Sequence, residues 1–306
     1  MVSYKNGNVY VSIDENTGTK IRFSKEDDFY PSFAESMDVN ITYKCNNAIN
    51  CPYCYLDCKP NGKHADLMSD YVVNTFIPSL HPHTEIALNG NDLDHPQLWE
   101  FLNLLKDQGV IANITVNQNQ FMNNLPELFS LQNYGLIRGV GVSYLKPDDV
   151  FFRTLPIIKN VVVHTIAGIT NIQLLKGMNL NVLVLGYKDK GRGIFYTPKH
   201  ATQIIENIEY LKSYLYTYKF KDDFKGIGFD TLATKQLDLR NILSKEDWEL
   251  CYQGEDGTFT YYVDLVKDEF AKSSTSDVTY DINNRTNDEM FNFIRGLNNA
   301  EKGVKN

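Results

Sequence analysis

The chain has 306 residues and a formal net charge of -8, and its 42% hydrophobic and 22% charged residues are ordinary for a folded globular protein. No run approaches the roughly 18 apolar residues of a membrane span, and the first residues lack the apolar core of a signal peptide, so we expect a cytoplasmic protein without a membrane partner. Because the charge is negative, it disfavours bulk nucleic-acid binding.

The first 35 residues have the pattern of a strand pair. Residues 9–13 and 20–23 alternate between apolar and polar side chains, and Asn16, Thr17 and Gly18 form a turn signal between them. The sequence therefore predicts an N-terminal β-hairpin within residues 1–35.

Apolar runs of strand length alternate with amphipathic segments from residue 36 to residue 235. The predicted strands are residues 38–42, 85–88, 112–116, 139–143, 160–166, 181–185 and 226–229. The predicted helices are residues 69–80, 96–108, 148–158, 171–178 and 199–218. This alternation predicts an α/β fold with a parallel sheet, open or curled into a barrel. In parallel barrels, functional groups gather at the C-terminal ends of the strands.

The pattern changes after residue 235 to short mixed elements. Residues 257–266 alternate like a strand after a turn signal that begins at Gly254, and the polar residues 296–306 are expected to fray. We therefore expect three parts, namely the hairpin at 1–35, the α/β unit at 36–235 and a small mixed C-terminal extension at 236–306.

Four of the five cysteines lie within fourteen residues, at Cys45, Cys51, Cys54 and Cys58. Such clustering suits a metal site better than a disulfide framework in a reducing compartment. The first three belong to a loop directly after the first predicted parallel strand. Thiolates are ligands of zinc and of iron-sulfur clusters, and three of them would leave one iron of a cubane open to another ligand.

Two other interpretations of the cysteines stay open. With Cys58 as fourth ligand, the loop would be a compact structural zinc knot, and the thiols could also be plain buried side chains. Cys58 is otherwise a bystander, or an alternative cluster ligand together with Cys51 and Cys54. Cys251 is isolated far along the chain, so we expect no second cluster in the C-terminal extension.

The cysteine loop resembles that of the radical SAM superfamily, which has the spacing Cys-x3-Cys-x2-Cys with an aromatic residue before the last cysteine. Tyr53 matches the aromatic position, whereas the gap from Cys45 to Cys51 is five residues instead of three. The resemblance covers residues 36–235 and implies a partial (β/α)6-type parallel barrel. It also implies a 4Fe-4S cluster held by Cys45, Cys51 and Cys54, with S-adenosylmethionine (SAM) as second cofactor.

Later strand ends resemble the cofactor-binding positions of the same superfamily. Residues 86–96 (IALNGNDLDHP) match its glycine-rich stretch, with Gly90 followed by Asn91 where most members have a glutamate; a simple β-to-α turn would have the same composition. Asn117, Ser143 and Gly186 follow on successive strands. The resemblance implies that these residues and Tyr53 bind SAM, and that Lys188 and Arg192 meet a carboxylate or phosphate.

The implied function is reductive cleavage of SAM, in which a 5'-deoxyadenosyl radical acts on an unknown substrate that is a small molecule, nucleotide or peptide. An electron donor such as a flavodoxin or ferredoxin is the implied partner. Two alternatives are a non-catalytic zinc-binding interaction protein and an iron-sulfur electron carrier or sensor. We expect His164 to be a core residue, and Tyr210, Tyr214 and Tyr218 to form a packed helix face.

Overall fold

The N-terminal segment folds as a three-stranded antiparallel sheet in the computed structural model, which describes residues 1–26, 28–47, 51–89, 92–252 and 254–301. Its strands are β1 (Val2–Asn6), β2 (Val9–Ile13) and β3 (Lys20–Phe23). β2 and β3 are the predicted hairpin, and β1 adds a third strand. Only Asn6 of β1 is buried, so its sequence carries a weak apolar signal.

A ten-stranded sheet forms the centre of the chain, with the strand order β10-β9-β8-β7-β6-β5-β4-β11-β12-β13. Its strands are β4 (Ser36–Asn40), β5 (Glu85–Asn89), β6 (Ile111–Asn117), β7 (Gly139–Ser143), β8 (Val161–Ile166), β9 (Asn181–Leu185), β10 (Gly226–Phe229), β11 (Thr260–Asp264), β12 (Glu269–Ala271) and β13 (Tyr280–Asp281). The strands from β10 to β11 are parallel to one another, and β12 and β13 are antiparallel additions. The predicted α/β fold with a mostly parallel sheet is therefore confirmed.

The helices lie between these strands and after them. They are α1 (Leu98–Asp107), α2 (Gln118–Asn123), α3 (Leu125–Asn133), α4 (Asp149–Thr154), α5 (Gly193–Tyr216), α6 (Phe220–Asp223), α7 (Thr231–Gln236), α8 (Leu239–Ile242), α9 (Lys245–Cys251) and α10 (Asn287–Glu301). Aliphatic side chains on one face of the sheet pack against these helices, as Val39 of β4 and Leu102 of α1 do in the same buried cluster. Among the described residues, no helix is long and apolar enough to cross a membrane.

Three predicted helices have a different form. Residues 69–80 contain a π-helix (Val72–Phe76) followed by a 3₁₀-helix (Ile77–Ser79), and residues 148–158 end in a second 3₁₀-helix (Leu155–Ile157). Each of these two 3₁₀-helices follows another helical turn and has a proline in its first positions. Because proline has no N–H, it cannot donate a hydrogen bond back to the preceding turn, and the earlier helix does not continue. Residues 171–178 form only the 3₁₀ turn Ile172–Leu175, because Gly177 adopts a positive φ of 71°.

The C-terminal segment continues the main sheet. β11 lies within the predicted strand 257–266 and pairs in parallel with β4. α10 follows, and its apolar side chains Met290, Phe291 and Ile294 are fully buried. The expectation that the chain frays from residue 296 is wrong for residues 296–301, since this buried face holds them in α10.

Candidate cysteine-lined site

One face of the parallel strands lines a cavity of about 560 Å³. Side chains alternate between the two faces of a strand, and alternate residues of β5 to β9 make up most of the strand lining. These residues are Ala87, Asn89, Asn113, Thr115, Asn117, Gly139, Gly141, Ser143, Val162, His164, Ile166, Asn181, Leu183 and Leu185, and Ile114, Val116 and Val140 border the cavity as well. On β5 to β7 the alternate residues are small or polar, which leaves space beside these strands.

The cysteine loop lies at the C-terminal end of β4. Isolated bridges pair Thr42 with His64 and Lys44 with Lys59, so the chain leaves the strand and returns beside itself. The backbone N–H of Cys45 donates to the carbonyl oxygen of Lys59 at 2.9 Å, and the N–H of Cys54 donates to that of Cys51 at 3.1 Å. All three predicted ligands, Cys45, Cys51 and Cys54, line the cavity together with Cys58.

The thiols face one space without meeting at one point. Within the described ranges, which include all five cysteines, no three histidine, cysteine or acidic side chains are placed to hold a single metal ion. Cys251 is exposed in α9 and does not line this cavity.

The four thiols have different electrostatic surroundings. The Cys58 side chain hydrogen-bonds to Cys54, which lowers the pKa of Cys54 to about 6 and raises the pKa of Cys58 far above its usual value. Burial raises the pKa of Cys51 to about 11, and burial also raises the pKa of Cys45. Arg192 favours the charged form of every one of these thiols. Cys54 is therefore the first thiolate to form, with Cys58 as its proton-bearing neighbour.

Arg192 holds the cysteine loop from the segment that follows β9. Its guanidinium donates to the carbonyl oxygen of Cys51 at 3.0 and 3.2 Å, to that of Cys58 at 2.7 Å, and to the Asp57 carboxylate at 3.1 Å. Its backbone N–H donates to the carbonyl oxygen of Cys54 at 3.0 Å. The cysteine loop therefore uses the guanidinium that we expected to meet a carboxylate or phosphate of a ligand. Such a ligand would compete with the loop for Arg192.

The loop before Arg192 touches two other parts of the chain. Gly191 has a φ of 54°, and a Cβ there would lie 2.7 Å from the Cys54 carbonyl oxygen, so the close approach requires glycine. The Lys188 Nζ lies 3.8 Å from the centre of the Tyr55 ring, and the Lys190 Nζ pairs with Asp277 at 2.8 Å. The segment thus joins the cysteine loop to the C-terminal part of the chain.

The predicted cofactor-binding residues have different surroundings. Tyr53 lines the cavity, with its ring edge-on to Tyr196 at 5.5 Å. Asn117 ends β6 and caps α2, where its Oδ1 accepts from the N–H of Gln120 at 2.9 Å. Ser143 lines the cavity at the end of β7. These three residues and the cysteine loop border the same space.

Gly186 borders the cavity directly after β9. Its N–H donates to the Asp230 carboxylate at 2.8 Å, and a Cβ would lie 2.4 Å from Leu232, so glycine is required by packing against α7. Gly90 and Asn91 lie outside the described residues. Their neighbour Asn89 lines the cavity, and its buried Nδ2 has no hydrogen-bond partner among the described residues.

His164 is a cavity residue that the sequence did not single out for function. Its Nδ1 is buried without a partner among the described residues, and burial lowers its pKa to about 4, so the imidazole is neutral at pH 7. A Cβ on Gly141 of the neighbouring strand would lie 2.3 Å from Cε1 of His164. The two residues are diagonal neighbours, because the register pairs Gly141 with Val162 and Ser143 with His164, and the sequence pattern does not show this register.

Charged residues pair near the start of β5, where Arg138 borders the cavity. Glu85 pairs with Lys20 at 3.0 Å and also with Arg138, while Glu35 pairs with Arg22 at 2.8 Å. Lys20 and Arg22 belong to β3, so these ion pairs fix the N-terminal sheet to this end of the main sheet. The Asp14–Thr19 turn brings Thr17 to the cavity.

No known protein-family model matches this chain, and no curated protein matches it at a significant level.

Proposed function

We propose that this protein is a radical SAM enzyme whose 4Fe-4S cluster is held by Cys45, Cys51 and Cys54. The observation that carries the proposal is the common cavity. The three thiols border it from the loop after β4, and the polar strand ends Asn117 and Ser143 border it from β6 and β7. Groups that meet at the C-terminal ends of neighbouring parallel strands are suited to build one binding site.

The fold supports the proposal through the alternation of the cavity wall. Each of the strands β5 to β9 contributes residues to a single space, mostly at alternate positions, and Asp38 of β4 adds to it. We infer from this that the sheet from β4 to β9 curls around the cavity as a partial (β/α)6-type barrel. The N-terminal sheet and the strands β11 to β13 would then be additions to this unit.

The donor set fits a cubane cluster, because each thiolate of such a cluster binds a different iron and the sulfurs need not converge on one point. Cys54 is already disposed to ionise, and Arg192 would offset the charge of the thiolates. When bound, the cluster would supply the electron that cleaves SAM in this superfamily and yields the deoxyadenosyl radical.

This chain's own residues would orient the second cofactor. Among the described residues the Nδ2 of Asn117 has no hydrogen-bond partner, since only its Oδ1 is used in capping α2. This amide nitrogen and the Ser143 hydroxyl would meet polar groups of SAM, with Tyr53 at the cysteine side. Gly90 and Asn91 complete the proposed set. The electron would come from a flavodoxin- or ferredoxin-like donor, in a reducing compartment such as the cytoplasm.

The hydrogen bond between Cys58 and Cys54 favours a second candidate function, that of a structural zinc-binding protein. Four thiols bordering one cavity could also form a four-cysteine zinc site after a local rearrangement, and the protein would then be a structural zinc-binding interaction protein. Cys58 decides between the two, because zinc needs its thiolate and the proposed cluster does not.

The test is anaerobic purification and cluster reconstitution, with iron, sulfide and zinc measured per chain. We expect a brown protein that releases 5'-deoxyadenosine when dithionite and SAM are added. Cys45→Ala, Cys51→Ala and Cys54→Ala should each lose the cluster, whereas Cys58→Ala and the exposed Cys251→Ala should keep it. A colourless zinc protein that needs Cys58 would refute the proposal, and a stable cluster without SAM cleavage would favour an electron carrier or sensor.

A further inference from the structure

A second cavity of about 370 Å³ adjoins the cysteine-lined one. It is bordered by the residues after β10, by β11 and by the loop after β12. Five residues border both cavities, namely Asp38, Ala87, Asn113, Lys188 and Asp230. Three residues of this shared wall, Asp38, Ala87 and Asn113, lie on strands of the main sheet, and Lys188 connects the wall to Tyr55 of the cysteine loop.

Asp38 is the unusual residue of the wall. It lies in the middle of β4, and no hydrogen bond or ion pair joins its carboxylate to any residue of the described ranges. Burial raises its pKa, an effect that Lys188 opposes and Asp230 and Asp256 strengthen. Some of its surface remains accessible because the side chain faces the cavities.

The nearby cation is already used elsewhere. The Lys188 Nζ donates to the Ser274 hydroxyl at 2.8 Å and lies over the Tyr55 ring. Asp230 is likewise occupied through Oδ1, which accepts from the N–H groups of Gly186 and Ala233 at 2.8 and 2.6 Å. Asp38 is thus left as an acceptor to which no described residue donates.

A buried structural carboxylate in the same sheet shows the contrast. Asp264 of β11 accepts from the Tyr43 hydroxyl at 2.5 Å, the Tyr262 hydroxyl at 3.1 Å, and the backbone N–H groups of Val266 and Lys267 at 3.0 and 3.1 Å. A buried carboxylate without such donors costs folding free energy. We therefore expect the hydrogen-bond donor to Asp38 to come from a ligand.

We propose that the shared wall binds an organic substrate through a protonated amino group, with Asp38 as its acceptor. The inference rests on the proposed function, since it names the class of molecule on which that enzyme would act. Four carboxylates, Asp38, Glu85, Asp230 and Asp256, border the second cavity against two lysines, Lys188 and Lys272. This balance favours an ammonium group and disfavours a substrate that presents a carboxylate.

The test is isothermal titration calorimetry of the full chain with three probes of equal length, namely hexylamine, hexanol and hexanoate. We expect hexylamine to bind best, and Asp38→Asn to weaken its binding by about tenfold or more. Asp107→Asn, on the exposed end of α1, is the matched control and should leave the binding unchanged. Equal binding of the three probes, no binding of hexylamine, or no effect of Asp38→Asn would overturn the proposal.

Two further arms separate this site from the cofactor site. Cys54→Ala should bind hexylamine like the unaltered chain, so a failure of the iron-sulfur proposal leaves this result readable. SAM also carries an amino group; if Asp38→Asn weakened SAM binding as much as hexylamine binding, the carboxylate would serve the cofactor and the substrate assignment would be wrong. If Asp38→Asn does not fold, the ranking of the three probes on the unaltered chain decides.

Discussion

The guanidinium of Arg192 donates from Nε and Nη2 to the carbonyl oxygen of Cys51, at 3.2 and 3.0 Å. The same group reaches the Cys58 carbonyl oxygen and the Asp57 carboxylate. A planar guanidinium can satisfy several acceptors at once, which the ammonium of lysine does with poorer geometry. Arg192 is therefore a positioning residue for the cysteine loop.

Arg192→Lys should destabilise the loop because it leaves carbonyl oxygens of Cys51 and Cys58 without donors. We expect a loss of about 2 kcal/mol or more in the free energy of unfolding of the metal-free protein, measured in urea. Reconstituted iron per chain should also fall. Arg153→Lys in α4, whose Nε donates only to the Asp149 carbonyl oxygen within the helix, is the control. Equal iron content and stability in both variants would contradict the positioning role.

Gly141 and His164 form a second matched pair across β7 and β8. Gly141→Ala would place a methyl group 2.3 Å from the imidazole Cε1, and we expect it to lower the free energy of unfolding by about 1–3 kcal/mol. In a His164→Ala background the same change should cost much less, because the clash is gone. Urea unfolding of the four proteins measures this coupling.

Gly228→Ala is the control for strand propensity. Its added Cβ would meet only Leu183 Cδ1, at 3.4 Å, on the neighbouring strand. We expect little change in stability there. Additive effects of Gly141→Ala and His164→Ala would show that the two side chains do not compete for the same space.

Local patterns allowed much of the fold to be predicted. The strands Gly139–Ser143, Asn181–Leu185 and Gly226–Phe229 have the predicted bounds, because buried parallel strands are short apolar runs between turn signals. α5 begins at Gly193 instead of residue 199, with Pro198 inside the helix, where a proline-based boundary fails. The cysteine loop was predicted because its residues are neighbours in sequence.

The rest of the site depends on contacts between distant residues. Arg192 reaches Cys51 across 141 positions, and the close approach of Gly141 to His164 depends on the register that pairs Gly141 with Val162 and Ser143 with His164. The electrostatic surroundings of the Asp38 carboxylate include Lys188, Asp230 and Asp256, which are all distant from it in sequence. The composition of the sequence and the spacing of its residues do not predict such contacts.

His95 gives a prediction for pH dependence. Its Nε2 lies 3.0 Å from the Ala65 carbonyl oxygen and its Nδ1 accepts from the Gln97 N–H at 3.1 Å, an arrangement that fits only the neutral ring. Burial first, and then the neighbouring His64, lower its pKa from 6.5 to about 4. Between these values the unfolded chain binds more protons, so stability falls as the pH falls from 6.5 and the loss is complete below 4.

This histidine should contribute up to about 3 kcal/mol to the fall in the free energy of unfolding between pH 7 and pH 4. His95→Gln should be less stable at pH 7 but should lose less stability on acidification. Urea unfolding at pH 7, 5.5 and 4.5 measures both slopes. Parallel slopes would mean that protonation of another group governs the acid transition.

Glu85 gives the last prediction, since it lies between two cations at the start of β5. It pairs with Lys20 at 3.0 Å and with Arg138, and all three side chains are largely buried. Burial alone would raise the pKa of Glu85, but Lys20 and Arg138 outweigh it and lower the pKa. The stabilisation by this carboxylate is thus present above its usual pKa and is lost as the pH falls through the lowered value.

Glu85→Gln should lower the free energy of unfolding at pH 7 by about 3–5 kcal/mol, because buried Arg138 loses its paired carboxylate and Lys20 keeps only the longer pair with Glu35, at 3.7 Å. Glu209→Gln, at an exposed pair with Lys212 of 3.7 Å, should change it by less than about 0.5 kcal/mol. Lys20→Met should cost less in the Glu85→Gln background than alone, since the pair between Lys20 and Glu85 is already lost there. Because Lys20 belongs to β3, equal costs in both backgrounds would mean that packing, and not this ion pair, fixes the N-terminal sheet to the main sheet.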